Sequence, residues 1–172
     1  MNQVKFKNYK KAVFLDRDGV INKDIGYLHK IEEFQWIDGA IEALKLLKKN
    51  NFLIIVISNQ SGVSRGYFSK EDVIKLHKWI NFELKKHNIQ IDDFFFSTEL
   101  PVKNLAPVRR KPSPKMLNEA IEKYNLDRKN CFMIGDKKTD LIAAKNAKID
   151  CFLFKGGNLS CKIKKILKDH LD

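Results

Sequence analysis

The stretch Ala12-Val13-Phe14-Leu15-Asp16-Arg17-Asp18-Gly19-Val20 decides the fold, because it joins a short apolar run to two carboxylates and a glycine. The run has the length and composition of a buried strand. Residues two apart on a strand project to the same side, so Asp16 and Asp18 can point into one site, and Gly19 lets the backbone turn directly afterwards. Two carboxylates this close are costly unless a cation neutralises them or one carries a proton. The stretch therefore predicts a strand whose carboxyl end is a functional site.

More apolar runs of this kind follow along the chain, and segments with helical periodicity separate them. Such alternation is typical of α/β proteins with a parallel sheet. We predict a three-layer α/β fold, in which a doubly wound, mostly parallel sheet has helices on both faces. The predicted strands are residues 12–16, 52–58, 93–97, 131–135 and 151–154.

The predicted helices have N-terminal signals in the sequence. Asp38 is the expected N-cap of the first helix, and Ser69 is that of the second, where Asp72 can complete a capping box. Ser113 as a cap and Pro114 at the first helical position predict the third helix. The first helix is expected to end near residue 50, and two more are predicted at residues 139–146 and 159–171.

Length and composition favour one domain. The chain has 172 residues, 44% of them hydrophobic, so we expect a single domain over residues 1–172. Residues 17–38 and 97–111 are too few to fold as a lid, so no cap domain is expected and the site should be open. No apolar run reaches the about 18 residues of a membrane span, and the lysine-rich N-terminus is unlike a secretory signal. We expect a cytoplasmic monomer without a membrane partner.

The formal net charge of +12 is compatible with a nucleic acid or with an anionic substrate. The excess, however, comes from lysines spread along the whole chain, many of them on the expected solvent faces of helices. The sequence contains neither a phosphate-binding kinase loop nor a basic motif interleaved with aromatic residues. A general lysine richness is therefore the simpler explanation, and no nucleic-acid partner is expected.

Polar blocks follow the predicted strands, and in an open parallel sheet the carboxyl ends of the strands are where function gathers. After Asp16 and Asp18, the block from Ser58 to Gly62 offers a hydroxyl, two amides and loop N–H groups that could hold a phosphate. Lys111 can balance the charge of carboxylate and phosphate. Asp136 and Asp140 bring further carboxylates, and hard oxygen ligands around a phosphate favour Mg²⁺. The blocks predict one coherent site.

These blocks, Asp16-x-Asp18, Ser58, Lys111 and Gly135-Asp136 followed by Asp140, resemble the signature of the haloacid dehalogenase superfamily of phosphohydrolases, whose fold is Rossmann-like. The resemblance spans about residues 11–155. Within that superfamily, the segments 16–22, 59–68 and 110–112 look like the branch that holds histidinol-phosphate phosphatase and D,D-heptose 1,7-bisphosphate phosphatase. Residues 59–68 are more similar to the heptose enzymes.

The resemblance implies a role for each matching residue. Asp16 would attack phosphorus and form an aspartyl-phosphate, Asp18 would be the general acid and base, and Ser58 and Lys111 would stabilise the transferred phosphoryl group. Asp16, the backbone carbonyl of Asp18, and Asp136 would hold Mg²⁺. Asp140 would position either Lys111 or a metal-bound water. The residues implied to contact substrate are Asp24, Ile25, Gly26, Tyr27, Ser58, Asn59, Gln60, Ser61, Arg110, Lys111 and Lys137.

Arg65 lies beside Gly66 in a loop and is a further candidate for substrate contact, with an exposed position in solvent as the alternative. The implied substrate is a phosphorylated sugar. The leading expectation is hydrolysis of the 7-phosphate of D-glycero-D-manno-heptose 1,7-bisphosphate, a step toward nucleotide-activated heptose and surface polysaccharide. Histidinol phosphate or another small monoester, a nucleic-acid 3′-phosphate, and a non-catalytic binding role are the alternatives. The sequence does not choose between the α and β anomers.

One departure from the branch concerns zinc. Many members carry a Cys/His zinc loop before the Arg-Lys pair, whereas residues 98–109 contain neither Cys nor His. We therefore expect no structural zinc. The four histidines show no ligand spacing and are interpreted as surface residues, namely His29, His77, His87 and His170.

Overall fold

A computed structural model describes residues 10–101 and 108–171, with side chains as far as residue 169. Five parallel strands form one sheet in the order β3-β2-β1-β4-β5. The predicted parallel α/β fold is confirmed. The strands are β1 (Lys10–Leu15), β2 (Leu53–Asn59), β3 (Asp93–Ser97), β4 (Leu126–Gly135) and β5 (Asp150–Leu153).

Helices cover both faces of the sheet, as the alternating pattern predicted. On one face, Leu44, Leu76 and Ile163 pack in a cluster with the β1 residues Val13 and Leu15. The opposite face has its own cluster, which includes Met116 and Ala143 among its helical members. The helices are α1 (Ala40–Lys49), α2 (Lys70–Lys85), α3 (Lys115–Tyr124), α4 (Lys138–Asn146) and α5 (Leu159–Leu171).

The predicted N-cap residues agree with the structure in one helix and differ in two. Ser69 caps α2 with a full capping box to Asp72, as predicted. The expected cap at Asp38 is wrong, because Gly39 occupies the N-cap position in a left-handed conformation. Pro114 rather than Ser113 is the N-cap of α3, and the Ser113 hydroxyl accepts the Lys115 N–H at 3.3 Å.

The interpretation of His77 as a surface residue is also wrong. His77 is 5% exposed and stacks on Phe94 with ring centroids 4.4 Å apart. Burial, with the nearby Arg17 charge, lowers the pKa of His77 to about 3, so the ring is neutral. His87 is exposed and His29 is half-buried, whereas the side chain of His170 lies outside the described residues.

β1 is the centre of the sheet, and the chain leaves it to β2 on one side and reaches β4 on the other. This switch in strand order opens a crevice at the carboxyl ends of β1, β2 and β4. Across the described residues, no helix combines the length and apolar character needed to span a bilayer. Residues 102–107, half of the loop for which zinc was considered, lie outside the described part of the chain.

Candidate active site

Asp16 is the residue that directly follows β1, and its carboxylate lies at the bottom of the crevice. It is 6% exposed. One oxygen accepts the backbone N–H of Arg17 at 2.7 Å, and the other lies 2.9 Å from the Lys111 ammonium. Burial raises the pKa of Asp16 to about 7, against the lowering effect of Lys111 and with a further raising effect of the Asp140 charge. A further cation beside Asp16 would therefore lower this pKa and favour the ionised carboxylate.

Lys111 is the cation that holds this part of the site together. Its buried ammonium lies 2.9 Å from Asp16 and 2.6 Å from Asp140, and it donates to the carbonyl of Ile57 at 2.8 Å. Burial alone would lower the pKa of Lys111, but Asp16 and Asp140 raise it, so the ammonium stays charged. Asn59 fixes the backbone of Lys111 by two hydrogen bonds, of 3.0 and 3.1 Å.

The β4 end brings two aspartates that have different partners. Asp140 is fully buried, and besides its contact with Lys111 it accepts the N–H groups of Asp136 and Lys137 at 3.2 and 3.0 Å. Gly135 is required here, because a Cβ atom would lie 2.3 Å from the Cβ of Asp140. The contact with the Lys111 ammonium is the one that the first of its two expected roles requires.

Asp136 has the free ligand capacity that Asp140 lacks. Its Oδ1 atom is buried and has no hydrogen-bond partner among the described residues. Burial raises the pKa of Asp136, the Lys137 charge lowers it by less, and the Asp140 charge raises it further. Carboxylate oxygens of Asp16, Asp136 and Asp140 all lie within 4.8 Å of one another. An oxygen without a partner beside the Asp16 carboxylate fits a hard cation such as Mg²⁺.

The Asp18 carboxylate has hydrogen-bond partners outside this acidic group. It accepts hydrogen bonds from Arg17, from Asn22 at 2.8 Å and from Gln60 at 3.0 Å. Its side chain is therefore not grouped with the three clustered aspartates, which leaves the backbone carbonyl as the metal-binding group that the resemblance implied. Gly19 follows with φ +88°, and a Cβ there would lie 2.5 Å from Asp136 Oδ2, so a side chain would obstruct the site.

A cavity of about 360 Å³ opens above Asp16. Most of the residues predicted to contact substrate line it, but Ser58, Ile25 and Arg65 are not among them. Ser58 is 1% exposed and accepts a 2.7 Å hydrogen bond from Gln60, which lies between it and the cavity. The predicted catalytic residues Asp16 and Asp18 line the cavity. The residues predicted to contact substrate that also line it are Asp24, Gly26, Tyr27, Asn59, Gln60, Ser61, Arg110, Lys111 and Lys137.

Sequence reasoning missed two lining residues, Lys138 and Thr139. Both lie in the first turn of α4, where unpaired N–H groups and the helix dipole favour an anion. Their position just after the strand β4 was a signal that could have identified them, because the start of a helix at a strand end is a common phosphate site.

Three charged residues, Asp24, Arg110 and Lys137, form what we call the rim of the cavity. Lys137 pairs with Asp24 at 2.9 Å across the opening. Burial by itself would lower the pKa of Lys137, but Asp24 and Asp136 raise it.

Arg110 donates to the carbonyl of Glu99 at 3.1 Å, and burial together with the nearby charge of Arg65 lowers the pKa of Arg110. Arg65 lies 5.9 Å from the centre of the Tyr27 ring.

The chain is similar in sequence to known phosphatases. A family model described as HAD-hydrolase-like matches residues 108–166. A protein of Pasteurella multocida named D-glycero-beta-D-manno-heptose-1,7-bisphosphate 7-phosphatase is 44% identical over 81% of this chain and 78% of its own length. A Photorhabdus laumondii protein named D-glycero-alpha-D-manno-heptose-1,7-bisphosphate 7-phosphatase is 42% identical over 86% of this chain and 84% of its own.

The fold of the chain is also similar to that of a solved structure. The crystal structure of D,D-heptose 1,7-bisphosphate phosphatase from B. bronchiseptica, complexed with magnesium and phosphate, superposes with a TM-score of 0.81. The two chains are 25% identical, and the match covers 92% of this chain and 99% of the other.

Proposed function

The chain belongs to the haloacid dehalogenase-like family of D-glycero-D-manno-heptose-1,7-bisphosphate 7-phosphatases, and from that premise we propose that it removes the 7-phosphate of such a bisphosphate with Mg²⁺. One observation carries the proposal. A buried aspartate, Asp16, lies at the base of a polar cavity, 2.9 Å from the buried ammonium of Lys111. Such a pair would supply a nucleophile beside a cation that balances the charge of the phosphate.

In the first step, an oxygen of Asp16 attacks phosphorus. The bond from Asp16 to phosphorus forms as the bond to the sugar oxygen breaks, and the electron pair of that bond stays on the sugar oxygen. Asp18 donates a proton to this oxygen, so the sugar leaves as an alcohol. Lys111 balances the charge spread over the phosphoryl oxygens.

In the second step, a water oxygen attacks the same phosphorus atom. The bond between phosphorus and Asp16 breaks, and its electron pair returns to the Asp16 carboxylate. The proton lost by the water goes to Asp18, which restores the acid for the next turnover. Free phosphate leaves through the open cavity. Splitting the hydrolysis in two replaces one difficult displacement by two easier ones.

The residues that would hold Mg²⁺ are Asp16, Asp136 and the backbone carbonyl of Asp18. The partnerless Oδ1 atom of Asp136 supports this assignment. When bound, the cation supplies charge that stabilises the phosphoryl transition state. Asp140 keeps Lys111 in place, since its contact with the ammonium, at 2.6 Å, is the shortest that this lysine makes.

The rim supports a sugar with two phosphates over a simple monoester. While one phosphate reacts beside Asp16, the rest of the substrate must extend toward the opening of the cavity. Arg110 and Lys137 lie there, and Asp24 can accept hydrogen bonds from sugar hydroxyls. The Ser58 hydroxyl would act after Gln60 has moved, because Gln60 now donates to it at 2.7 Å.

We propose further that residues 1–172 form one domain and that the protein works as a cytoplasmic monomer. Two apolar clusters packed on opposite faces of a single sheet support the first of these. Light scattering of the purified protein measures its mass in solution, and a dimer would contradict the monomer.

A substrate panel with Mg²⁺ tests the function. It contains both anomers of D-glycero-D-manno-heptose 1,7-bisphosphate, histidinol phosphate and a 3′-phosphorylated oligonucleotide. We expect the heptose bisphosphates to be hydrolysed with the highest kcat/KM, and the ratio of the two anomers distinguishes the activities for which the two relatives are named. Turnover of the oligonucleotide alone would contradict the proposal.

A further inference from the structure

Arg17 is a charged residue enclosed entirely by protein. Its side chain is 0% exposed, and it is not among the residues that line the cavity. Burying an arginine is unfavourable unless the guanidinium is paired and hydrogen-bonded, so a residue buried this completely has a specific partner. That partner is the neighbouring Asp18.

The contact between the two side chains uses both oxygens of the carboxylate. Nη2 of Arg17 donates to both Oδ1 and Oδ2 of Asp18 at 2.8 Å, and Nε donates to Oδ1 at 3.2 Å. The same Nη2 atom donates to the backbone carbonyl of Leu28 at 2.9 Å. The planar guanidinium therefore fixes the plane of the carboxylate as well as its distance.

We propose that Arg17 is a positioning residue for the reaction: it sets the direction of the Asp18 carboxylate and ties that direction to the loop that contacts substrate. The inference rests on the proposed function, because it takes Asp18 as the acid and base. Arg17 acts through Asp18 and touches neither the sugar nor the transferred phosphoryl group.

Other contacts of Asp18 do not replace this one. Asn22 donates to Oδ1 only, at 2.8 Å, and Gln60 donates to Oδ2 only, at 3.0 Å. Both donors are neutral amides, and Gln60 also donates to Ser58 and has to move before the Ser58 hydroxyl can act. Without Arg17, only the Asn22 contact, to one oxygen, would then remain. Loss of the Arg17 guanidinium would leave Asp18 attached but poorly aligned for proton transfer, which requires hydrogen-bond geometry with the leaving oxygen.

The carbonyl of Leu28 connects Arg17 to the substrate loop. Leu28 is 1% exposed and anchored in the core, and it directly follows the cavity-lining residues Gly26 and Tyr27. Arg17 therefore bridges the acid/base residue and the end of the loop that meets the sugar. A displacement of that loop by substrate would be transmitted to the orientation of Asp18.

Two substrates that differ in their need for an acid separate positioning from folding. The alkoxide of a sugar phosphate needs a proton to leave, whereas the phenolate of 2,4-dinitrophenyl phosphate leaves without one. In Arg17→Met we expect the rate of sugar-phosphate hydrolysis to fall about 100-fold, the scale of a lost general acid. The burst of dinitrophenolate from phosphorylation of Asp16 should keep its wild-type rate. The later steady-state release should be slow, because dephosphorylation of Asp16 needs Asp18 as base.

The readout is the ratio of two velocities in the same sample, the initial velocity of dinitrophenolate release in the burst and the velocity of sugar-phosphate hydrolysis. Partial misfolding lowers the concentration of active protein, so it lowers both velocities by the same factor and leaves their ratio unchanged. Asp18→Asn should raise this ratio in the same way. Arg17→Lys should lie between the wild type and Arg17→Met, because an ammonium keeps the charge but lacks the planar shape and the second donor nitrogen of the guanidinium. Arg128→Met is the matched control, since Arg128 is half-buried and donates to Asn118 at 2.9 Å, away from the cavity.

A ratio that rises in Arg17→Met and Arg17→Lys but not in Arg128→Met supports the positioning role. A ratio equal to that of the wild type in both Arg17 variants would overturn it, whatever their melting temperatures. Failure of the wild-type protein to hydrolyse either substrate would contradict the proposed function instead, so the two failures are distinguishable.

Discussion

The charged side chains at the floor and at the rim of the cavity differ in their exposure to solvent. In the floor, defined as Asp16, Lys111 and Asp140, each side chain is at most 8% exposed and the ammonium contacts both carboxylates. In the rim, defined as Asp24, Arg110 and Lys137, the paired side chains of Lys137 and Asp24 are 55% and 37% exposed. Coulomb interactions are strong in the first environment and screened in the second. The floor therefore suits bond-making, and the rim suits the choice of substrate.

The largest expected effect comes from the floor. Asp16→Asn keeps the size of the side chain but removes the nucleophilic oxygen, so kcat should fall by ~10⁴ or more. Steady-state kinetics on the heptose bisphosphate measures the loss, and a melting curve close to that of the wild type shows that the fold is retained. A variant with near-normal turnover would remove Asp16 from the mechanism.

Lys111→Met is expected to damage both catalysis and stability. Removal of one phosphate-balancing donor costs about 10²- to 10³-fold in kcat. It also leaves Asp16 and Asp140 buried without their cation, a loss of about 3–5 kcal/mol in the free energy of unfolding. Urea unfolding and steady-state rates test the two parts.

Lys48→Met is the control for Lys111→Met. Lys48 forms a partly buried ion pair with Asp92, 2.5 Å long and outside the cavity. The Lys48→Met variant should have a lower free energy of unfolding than the wild type and an unchanged turnover. Equal losses of turnover in the two lysine variants would mean that Lys111 serves the fold alone.

The affinity for Mg²⁺ should depend on pH because of the floor. Burial raises the pKa of Asp16 to about 7, so in the free protein the carboxyl is protonated below about pH 7 and must lose that proton before it can bind a cation. We expect affinity to fall about tenfold per pH unit below that value, with release of protons on binding. Calorimetry in two buffers of different ionisation enthalpy measures both, and an affinity independent of pH would contradict this account.

The smallest expected effect comes from the rim. Lys137→Met should raise KM for the heptose bisphosphate about tenfold or less with kcat nearly unchanged, the loss of one screened, charge-assisted contact. Lys86→Met is the matched control, because Lys86 is 57% exposed and pairs with Glu83 on α2 away from the cavity. A fall in kcat comparable to that of a floor variant would erase the distinction between floor and rim.

Much of the site could be predicted from the sequence. Asp16 directly follows β1 and Asp136 directly follows β4, and the ends of parallel strands meet at one edge of the sheet. Lys111 comes at the end of the loop after β3, and the resemblance to the family identified it. The short apolar runs in the sequence were enough to find the strands. The 2.6 Å contact between Asp140 and Lys111 could not be predicted, because strand order does not specify which side chains touch.

Other features depend on directions that the sequence does not state. Arg17 lies between two catalytic candidates, but only the turn of the backbone after β1 decides that its guanidinium points inward to Asp18. Ser58 was expected at the substrate, and the fold puts Gln60 over it. His77 could have been identified, because it follows Val73 by four residues and precedes Ile80 by three on the buried face of α2.

The central claim is that phosphate is transferred to Asp16, and chemical trapping tests it most directly. Wild-type protein is mixed with Mg²⁺ and heptose bisphosphate, quenched during turnover, and treated with borohydride, which reduces an acyl phosphate to an alcohol. Peptide mass spectrometry should then find the reduced side chain at position 16, in proportion to the phosphoenzyme. Reduction at another residue, or none while substrate is being hydrolysed, would contradict the account.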